Sequence, residues 1–187
     1  EKEKKIPASH EAGHAILFHL LPEVGPVHSI SIIPTGVSAA GYTMPLPERD
    51  EMYITKSKLR QDIIVSLGGR VAEQLIFDDF SGGASNDIQR ATQIARKMVM
   101  QLGMSDLGPI LFGSEHSDTE VFLGRDFSHT RDFSEDVAAK IDAEIEKIIN
   151  EAMITASVID KNLFMFFLPY ISFIKTNCFL FQNQFDK

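Results

Sequence analysis

The pentapeptide His10-Glu11-Ala12-Gly13-His14 constrains this chain more than any other part of its sequence. It lies in a run of helical character from about Pro7 to Leu21. Because its two histidines are four residues apart, the imidazoles stand one above the other on one face of the helix. Two neutral imidazoles in that arrangement can bind one Zn²⁺ ion, and the glutamate after the first histidine is placed to act as a general base. The motif predicts a zinc site with ligands His10 and His14 and with Glu11 as catalytic base.

The alternative interpretation is a helix that carries these three residues by coincidence. The flanking sequence argues against it, because small and apolar residues surround the motif and Pro22 is placed to end the helix. Histidines buried beside apolar residues need polar partners, and a metal ion supplies them. The flanks therefore favour a zinc-dependent protease.

Length, charge and cysteine content narrow the class of protein. A chain of 187 residues can bury one core, or one core and an appendage. A net charge of −8, with no basic stripe, argues against a nucleic-acid-binding surface. The single cysteine, Cys178, excludes an internal disulfide. No signal-peptide pattern precedes the motif helix, and we expect a piece of a longer protein.

A small sheet is predicted after the motif helix. Residues Val27 to Ile33 have strand character, and a second extended piece follows at Ala40 to Met44, so a hairpin is expected. Residues 45–54 are polar and contain prolines, which predicts a loop. A free strand edge beside such a helix can bind an extended peptide through main-chain hydrogen bonds. A sheet that only packs on the helix is equally consistent with this sequence.

Apolar residues at helical spacing predict three further helices. They run from about Lys56 to Phe77, from Ser85 as N-cap to Leu102, and from Ser134 through Ala152. Gly68-Gly69 interrupts the first of them, which indicates either close packing or a break between two helices. His116 and His129 lie in an irregular stretch and are interpreted as surface histidines.

A catalytic zinc ion needs a third protein ligand. The H-E-x-x-H-x-x-G-x-x-H solution is excluded because Leu17 and Leu20 stand where it requires Gly and His. A carboxylate must serve, and spacing leaves two candidates open. Glu73 either pairs with Arg70 or points at the metal, and Asp87 either complements a helix dipole or ligates the metal.

Five motifs together resemble one known family. They are HEAGH at 10–14, VHSISIIPTG at 27–36, LGGRVAE at 67–73, GGASNDIQRAT at 82–92 and VFLGRD at 121–126. In order and spacing they resemble the peptidase domain of FtsH, the membrane-anchored, ATP-dependent zinc metalloprotease of the AAA protease family. The resemblance runs from the N-terminus to about Met153.

The resemblance implies a site and a fold. Asp87 matches the third zinc ligand of the family, and Glu73 then becomes a group that orients a ligand. The implied fold is mainly α with a small β-sheet, a helical zincin-type metallopeptidase domain. Its edge strand, at Ala40, Gly41, Tyr42 and Thr43, would receive unfolded polypeptide. One Zn²⁺ per chain, a homo-hexamer and a place at the cytoplasmic face of the bacterial inner membrane are also implied.

The chain departs from the family in two respects. It contains no G-x-x-x-x-G-K-[ST] sequence, so we expect no ATP site within it and regard it as the protease portion without its AAA ATPase module. Residues 154–187 are rich in Phe and unlike the family, so we divide the chain into a metallopeptidase domain, 1–153, and a C-terminal segment. The apolar run from Leu163 to Ile174 is too short for a membrane-spanning helix, and no anchor is expected.

These observations predict a zinc-dependent endopeptidase that hydrolyses peptide bonds of unfolded or membrane-extracted proteins. The competing hypothesis is a non-catalytic remnant that acts as an oligomerisation or polypeptide-binding module. The intact motif and Asp87 favour the enzyme, whereas the missing ATPase module and the altered C-terminal segment favour the remnant.

Overall fold

The structure is a computed structural model that describes residues 2–33, 41–46, 53–112 and 133–181, with side chains over 5–33, 41–46, 53–112 and 133–162. Over these residues the chain is mainly helical with one small antiparallel sheet, so the expected fold class is confirmed. Ala40, His116, His129, the motif at 121–126 and residues 47–52 of the expected loop lie outside the described residues. The elements are α1 (Lys2–Leu20), β1 (Val27–Ser31), β2 (Tyr42–Pro45), α2 (Lys56–Phe77), a 3₁₀ turn (Gly82–Ala84), α3 (Ser85–Met100) and α4 (Glu135–Phe181).

Helix α1 carries the histidine motif and is longer than expected at its start. It begins at Lys2 rather than at about Pro7, so that Pro7 lies inside the helix. A proline there removes one main-chain hydrogen bond, but its fixed φ is compatible with helical backbone. The helix ends at Leu20, next to the predicted stop at Pro22.

Helix α2 has the predicted bounds and is not broken by its glycine pair. Thr55 caps its start by accepting a hydrogen bond from the Lys58 N–H, at 3.1 Å. At its end, Asp78 adopts a left-handed conformation with φ 52° and donates its N–H to the Gln74 carbonyl. Of the two interpretations of Gly68-Gly69, close packing is therefore confirmed.

The glycine pair lets α1 and α2 approach until their backbones are in contact. A Cβ atom at Gly13 would lie 2.4 Å from the Gly68 carbonyl oxygen, and one at Gly68 would lie 2.6 Å from a methyl carbon of Leu17. A Cβ atom at Gly69 would lie 2.4 Å from the ring of His10. Any larger side chain at these positions would push the motif helix away from α2.

Helix α3 begins at Ser85, but this serine is not its N-cap. Ser85 already has helical backbone angles, and Ala84 at the N-cap position makes no side-chain hydrogen bond. The predicted cap was wrong because the chain enters α3 directly from the 3₁₀ turn, whose own cap is Ser81. The helix ends at Met100, slightly before the predicted Leu102, and is followed by Gly103 with φ 58°.

Two apolar clusters hold these helices together, and α2 contributes to both. One cluster joins α2, α3 and α4, and the other joins α1, α2 and α4. The first includes Ile63, Leu67, Ala95, Met98 and Ile145, and the second includes Leu17, Phe18, Val65, Val71 and Ala156. This arrangement fixes the middle of α1 against the middle of α2 and brings the start of α3 to the same region.

Helix α4 begins at Glu135, next to the predicted start at Ser134, whose hydroxyl accepts a hydrogen bond from the Val137 N–H at 3.4 Å. It continues to Phe181, past the boundary predicted at Met153. Ala156 and Asp160 beyond that boundary are fully buried, although the division into 1–153 and 154–187 itself stays a prediction. None of the described helices is both long and apolar enough to span a bilayer.

The contact between α1 and α2 generates a prediction about stability. Gly13→Ala should lower the free energy of unfolding by about 1 to 3 kcal/mol, because the added methyl group collides with backbone that cannot move aside. Urea unfolding followed by circular dichroism measures this change. The control is Gly82→Ala, where no atom lies within 4 Å of the added carbon. Equal stability of both variants would contradict the proposed backbone contact.

Asp160 generates a second prediction, because its carboxylate is buried. Its exposure is 0%, and neither carboxylate oxygen has a hydrogen-bond partner in the described part of the chain. Burial raises the pKa of this carboxyl to about 7. The folded state therefore binds more protons than the unfolded state between about pH 4 and pH 7. The contribution of Asp160 to stability falls as pH rises through this window.

Asp160→Asn should remove this loss, since a neutral amide does not ionise. At pH 8 the variant should exceed the wild type in free energy of unfolding by about 1 to 3 kcal/mol, and at pH 4 the difference should be much smaller. Urea unfolding at both pH values measures it. Asp142→Asn, at an exposed position on the same helix, is the control. A pH-independent difference would show that Asp160 is not the titrating group.

Candidate metal centre

His10 is held by a carboxylate from α2. The Nδ1 atom of His10 lies 2.8 Å from Oε1 of Glu73, whose side chain is only 2% exposed. Glu73 also accepts hydrogen bonds from Ser81, at 2.6 Å from the backbone N–H and at 2.9 Å from the hydroxyl. Because carboxylate oxygens accept, the proton of His10 belongs on Nδ1, which leaves the Nε2 lone pair free to bind a metal.

Glu73 therefore has His10, rather than Arg70, as its partner. Among the described residues no ion pair joins Arg70 to Glu73, and the Arg70 guanidinium lies 4.0 Å from the centre of the Phe80 ring. The sequence left Glu73 either paired with Arg70 or directed at the metal. The close approach at Gly69 brings the imidazole of His10 against α2, where it contacts Glu73.

His14 is oriented in a similar way by the backbone of α2. Its Nδ1 atom donates to the carbonyl oxygen of Val65 at 2.8 Å. Its Nε2 atom lies 3.1 Å from Nε2 of His10, and the two rings meet edge to face at 76°. The proton on Nδ1 leaves the second Nε2 lone pair directed at the same point as the first.

Asp87, in the first turn of α3, completes a cluster of three donor atoms. Its Oδ2 atom lies 3.1 Å from Nε2 of His10 and 3.6 Å from Nε2 of His14. Ligands of a tetrahedral zinc ion, at about 2.0 to 2.2 Å from the metal, are separated by about 3.3 to 3.5 Å. The spacing of these three atoms therefore fits one Zn²⁺ ion. Within the part of the chain that the structure describes, His10, His14 and Asp87 form a candidate metal site.

The electrostatics of the cluster favour a positive charge at its centre. Burial lowers the pKa of His10, but hydrogen bonds with Asp87 and Glu73 outweigh burial and raise it above its usual value. Burial raises the pKa of Asp87, but hydrogen bonds with His10 and His14 outweigh it and hold the pKa well below the usual range. With Nδ1 of each imidazole donating elsewhere, two Nε2 lone pairs and a carboxylate repel one another unless a proton or a metal cation lies between them. A divalent metal ion matches this requirement.

Glu11 lies beside this cluster and is held by β2. Thr43 donates its hydroxyl to Oε2 of Glu11 at 2.6 Å, and a Cβ atom at Gly41 would lie 2.9 Å from Oε1. Tyr42 and Met44 alternate with these residues and are 37% and 50% exposed. Glu11 itself is only 6% exposed, so its carboxylate, which can accept a proton, is largely shielded from water.

The predicted hairpin is confirmed, since β2 pairs antiparallel with β1. The structure brings together His10, Glu11, His14, Glu73 and Asp87, with Gly41 and Thr43 at the side of Glu11. Tyr42 lies on the opposite face of β2, and Ala40 lies outside the described residues. The binding of substrate along this strand stays a prediction.

Sequence reasoning missed two groups that orient the histidines. Val65 acts through its backbone carbonyl, for which no side-chain signal exists. Ser81 had a signal, because serine before a short turn commonly accepts a hydrogen bond from an N–H two residues later. Thr43 was predicted as part of a substrate-binding strand, but its hydrogen bond to Glu11 was not foreseen.

Comparison with known proteins identifies a matching family. Residues 1–163 match peptidase family M41. ATP-dependent zinc metalloprotease FtsH 1 of Thermoanaerobacter sp. (strain X514) is 58% identical over 153 residues, which are 81% of this chain and 24% of the relative. The FtsH proteins of Caldicellulosiruptor bescii and Thermotoga maritima are 57% and 52% identical, over 81% and 79% of this chain and 24% of each relative.

The chain thus spans about a quarter of the length of these curated relatives. The family match covers most of the chain and includes every residue of the cluster described above. The chain belongs to peptidase family M41.

Proposed function

We propose that this chain is a zinc-dependent endopeptidase unit, with Zn²⁺ held by His10, His14 and Asp87. The observation that carries the proposal is the convergence of three donor atoms, 3.1 to 3.6 Å apart, in a pocket that favours positive charge. Membership of the M41 family and relatives named as zinc metalloproteases support it.

The hydrogen bonds support Asp87 rather than Glu73 as the third ligand. Glu73 lies on the Nδ1 side of His10 and already accepts from three donors. Asp87 lies on the Nε2 side, where the lone pairs of both histidines converge. Glu73 then keeps the His10 ring in the orientation that binds a metal, as carboxylates behind metal-binding histidines commonly do.

Glu11 is the general base in this proposal. Bound Zn²⁺ supplies the Lewis acidity that lowers the pKa of the attacking water and polarises the scissile carbonyl. Glu11 accepts the proton of that water and delivers it to the leaving amine. Thr43 holds Oε2 of Glu11, so Oε1 is the oxygen available for the proton.

The position of β2 suggests how a substrate would be placed. An extended polypeptide that pairs with β2 at Tyr42 and Thr43 would have its backbone beside Glu11, because Thr43 touches that carboxylate. Such pairing requires an extended chain, so the substrates would be unfolded or membrane-extracted proteins. By resemblance to FtsH, the unit would work in a homo-hexamer with an AAA ATPase module at the cytoplasmic face of the inner membrane.

Glu11→Gln tests the proposed base. The variant should keep near-stoichiometric zinc and lose at least about 100-fold in the rate of casein cleavage, because the amide cannot accept the proton. Zinc analysis and the protease assay are made on the same samples. Glu146→Gln, an exposed substitution on α4, should leave both unchanged. Undiminished cleavage by Glu11→Gln would remove Glu11 from this role.

Asp87→Ala tests the third ligand. Zinc content and casein cleavage should both fall, since only two protein ligands remain. Asn86→Ala, at the exposed neighbouring position in the same helical turn, is the matched control. Full zinc content in Asp87→Ala would reject this ligand. A wild type that binds no zinc even after reconstitution would reject the enzyme in favour of a non-catalytic polypeptide-binding or oligomerisation module.

A further inference from the structure

Ser81 lies between α2 and α3 and makes three hydrogen bonds with well-defined partners. Its backbone N–H donates to Oε2 of Glu73 at 2.6 Å, and its hydroxyl donates to Oε1 of Glu73 at 2.9 Å. The same hydroxyl accepts a hydrogen bond from the Gly83 N–H at 3.2 Å. One side chain thus contacts both the buried carboxylate behind His10 and the turn that leads to Asp87.

We propose that Ser81 is a positioning residue that joins the two sides of the metal centre. It fixes Glu73, which orients His10, and it caps the turn from which α3 brings Asp87 to the same point. This inference rests on the proposed zinc site.

Glu73 depends on Ser81 for two of its three hydrogen bonds. Its carboxylate is 2% exposed, and burial of a charge without hydrogen bonds is costly. Oε1 is shared between Nδ1 of His10 and the hydroxyl of Ser81, while Oε2 accepts from the backbone of Ser81. Loss of the hydroxyl would leave only one donor on each oxygen. The carboxylate would then rotate more freely, and the ring of His10 with it.

Ser81 also caps the 3₁₀ turn that leads into α3 and to Asp87. The 3₁₀ turn begins after Ser81, and Ser85 donates its backbone N–H to the carbonyl of Gly82, so turn and helix are continuous. The N-cap position of α3 itself, Ala84, provides no side-chain hydrogen bond. The hydroxyl of Ser81 therefore fixes the start of the segment that ends, one and a half helical turns later, at Asp87.

The residues held by Glu73 and by the turn come into contact where Asp87 meets His10. Hydrogen-bond contacts run from Ser81 through Glu73 and His10 to Asp87, and the backbone returns from Asp87 through the turn to Ser81. Because these side-chain contacts and the backbone segment form a closed ring, they restrict the distance between the carboxylate of Asp87 and Nε2 of His10. Ser81 is the residue at which the side-chain contacts and the backbone segment join.

Ser81→Ala is the direct test, with Ser81→Thr as the conservative variant. Zinc affinity, measured by competition with a chelator, should fall by about 10- to 100-fold in Ser81→Ala, as when other groups behind metal ligands are lost. Ser81→Thr retains the hydroxyl and should restore most of the affinity. Ser85→Ala, at an exposed serine nearby, should bind zinc like the wild type.

A purely structural role predicts a different pattern. Ser81→Ala would then melt at a lower temperature without metal but bind zinc with unchanged affinity at a temperature where it is folded. Circular dichroism establishes that the variant is folded. The absorption spectrum of bound Co²⁺ reports the geometry of the ligands and should change in Ser81→Ala only if the centre is distorted.

A double-mutant cycle with Glu73→Gln tests the route through Glu73. If Ser81 acts through this carboxylate, the double variant should bind zinc only slightly more weakly than Glu73→Gln alone. Fully additive losses would overturn that route. Unchanged zinc affinity in Ser81→Ala would overturn this inference alone, whereas absence of zinc binding by the wild type would overturn the proposed metal centre as well.

Discussion

The backbone contact between α1 and α2 is the constraint on which the rest of the site depends. Gly13, Gly68 and Gly69 remove the side chains that would separate the two helices. In an α-helix carbonyl groups point toward the C-terminus, whereas side chains tilt toward the N-terminus. The carbonyl of Val65 and the side chain of Glu73 therefore converge from positions two helical turns apart on α2. They accept hydrogen bonds from His14 and His10, which are only one turn apart on α1.

Three carboxylates surround the two histidines, and hydrogen bonds distinguish their roles. Glu73 accepts from three donors and is almost fully buried. Glu11 accepts one hydrogen bond, from the hydroxyl of Thr43 to Oε2. In the proposed mechanism its other oxygen, Oε1, takes the proton. Asp87 lies at hydrogen-bond distance from His10 and 3.6 Å from His14, at the point where a metal would lie. The number of donors already engaged thus indicates what each carboxylate can still do, although all three have the same chemistry.

The fold class, the helix α2 and the histidine motif were predictable because each leaves a local pattern in the sequence. The choice between Glu73 and Asp87 was not predictable from spacing, because both reach His10 from opposite sides of its ring. Only the tertiary arrangement separates the Nδ1 side from the Nε2 side. Ser85 was mistaken for a helix cap because the preceding 3₁₀ turn runs directly into α3, so that the capping serine, Ser81, lies before the turn rather than at the start of the helix. The Thr43 contact with Glu11 was missed because it joins residues 32 apart in sequence.

The separation of the proposed ligands along the chain has a further consequence. His10 and Asp87 are 77 residues apart, so a metal ion bound to both would close a loop of that length. A link across such a loop lowers the conformational entropy of the unfolded chain, which stabilises the folded state by about 4.5 kcal/mol in chain-entropy estimates. The ion would therefore act as a reversible crosslink between the N-terminal helix and the core of α2, α3 and α4. Chelation would loosen the fold as well as remove the chemistry.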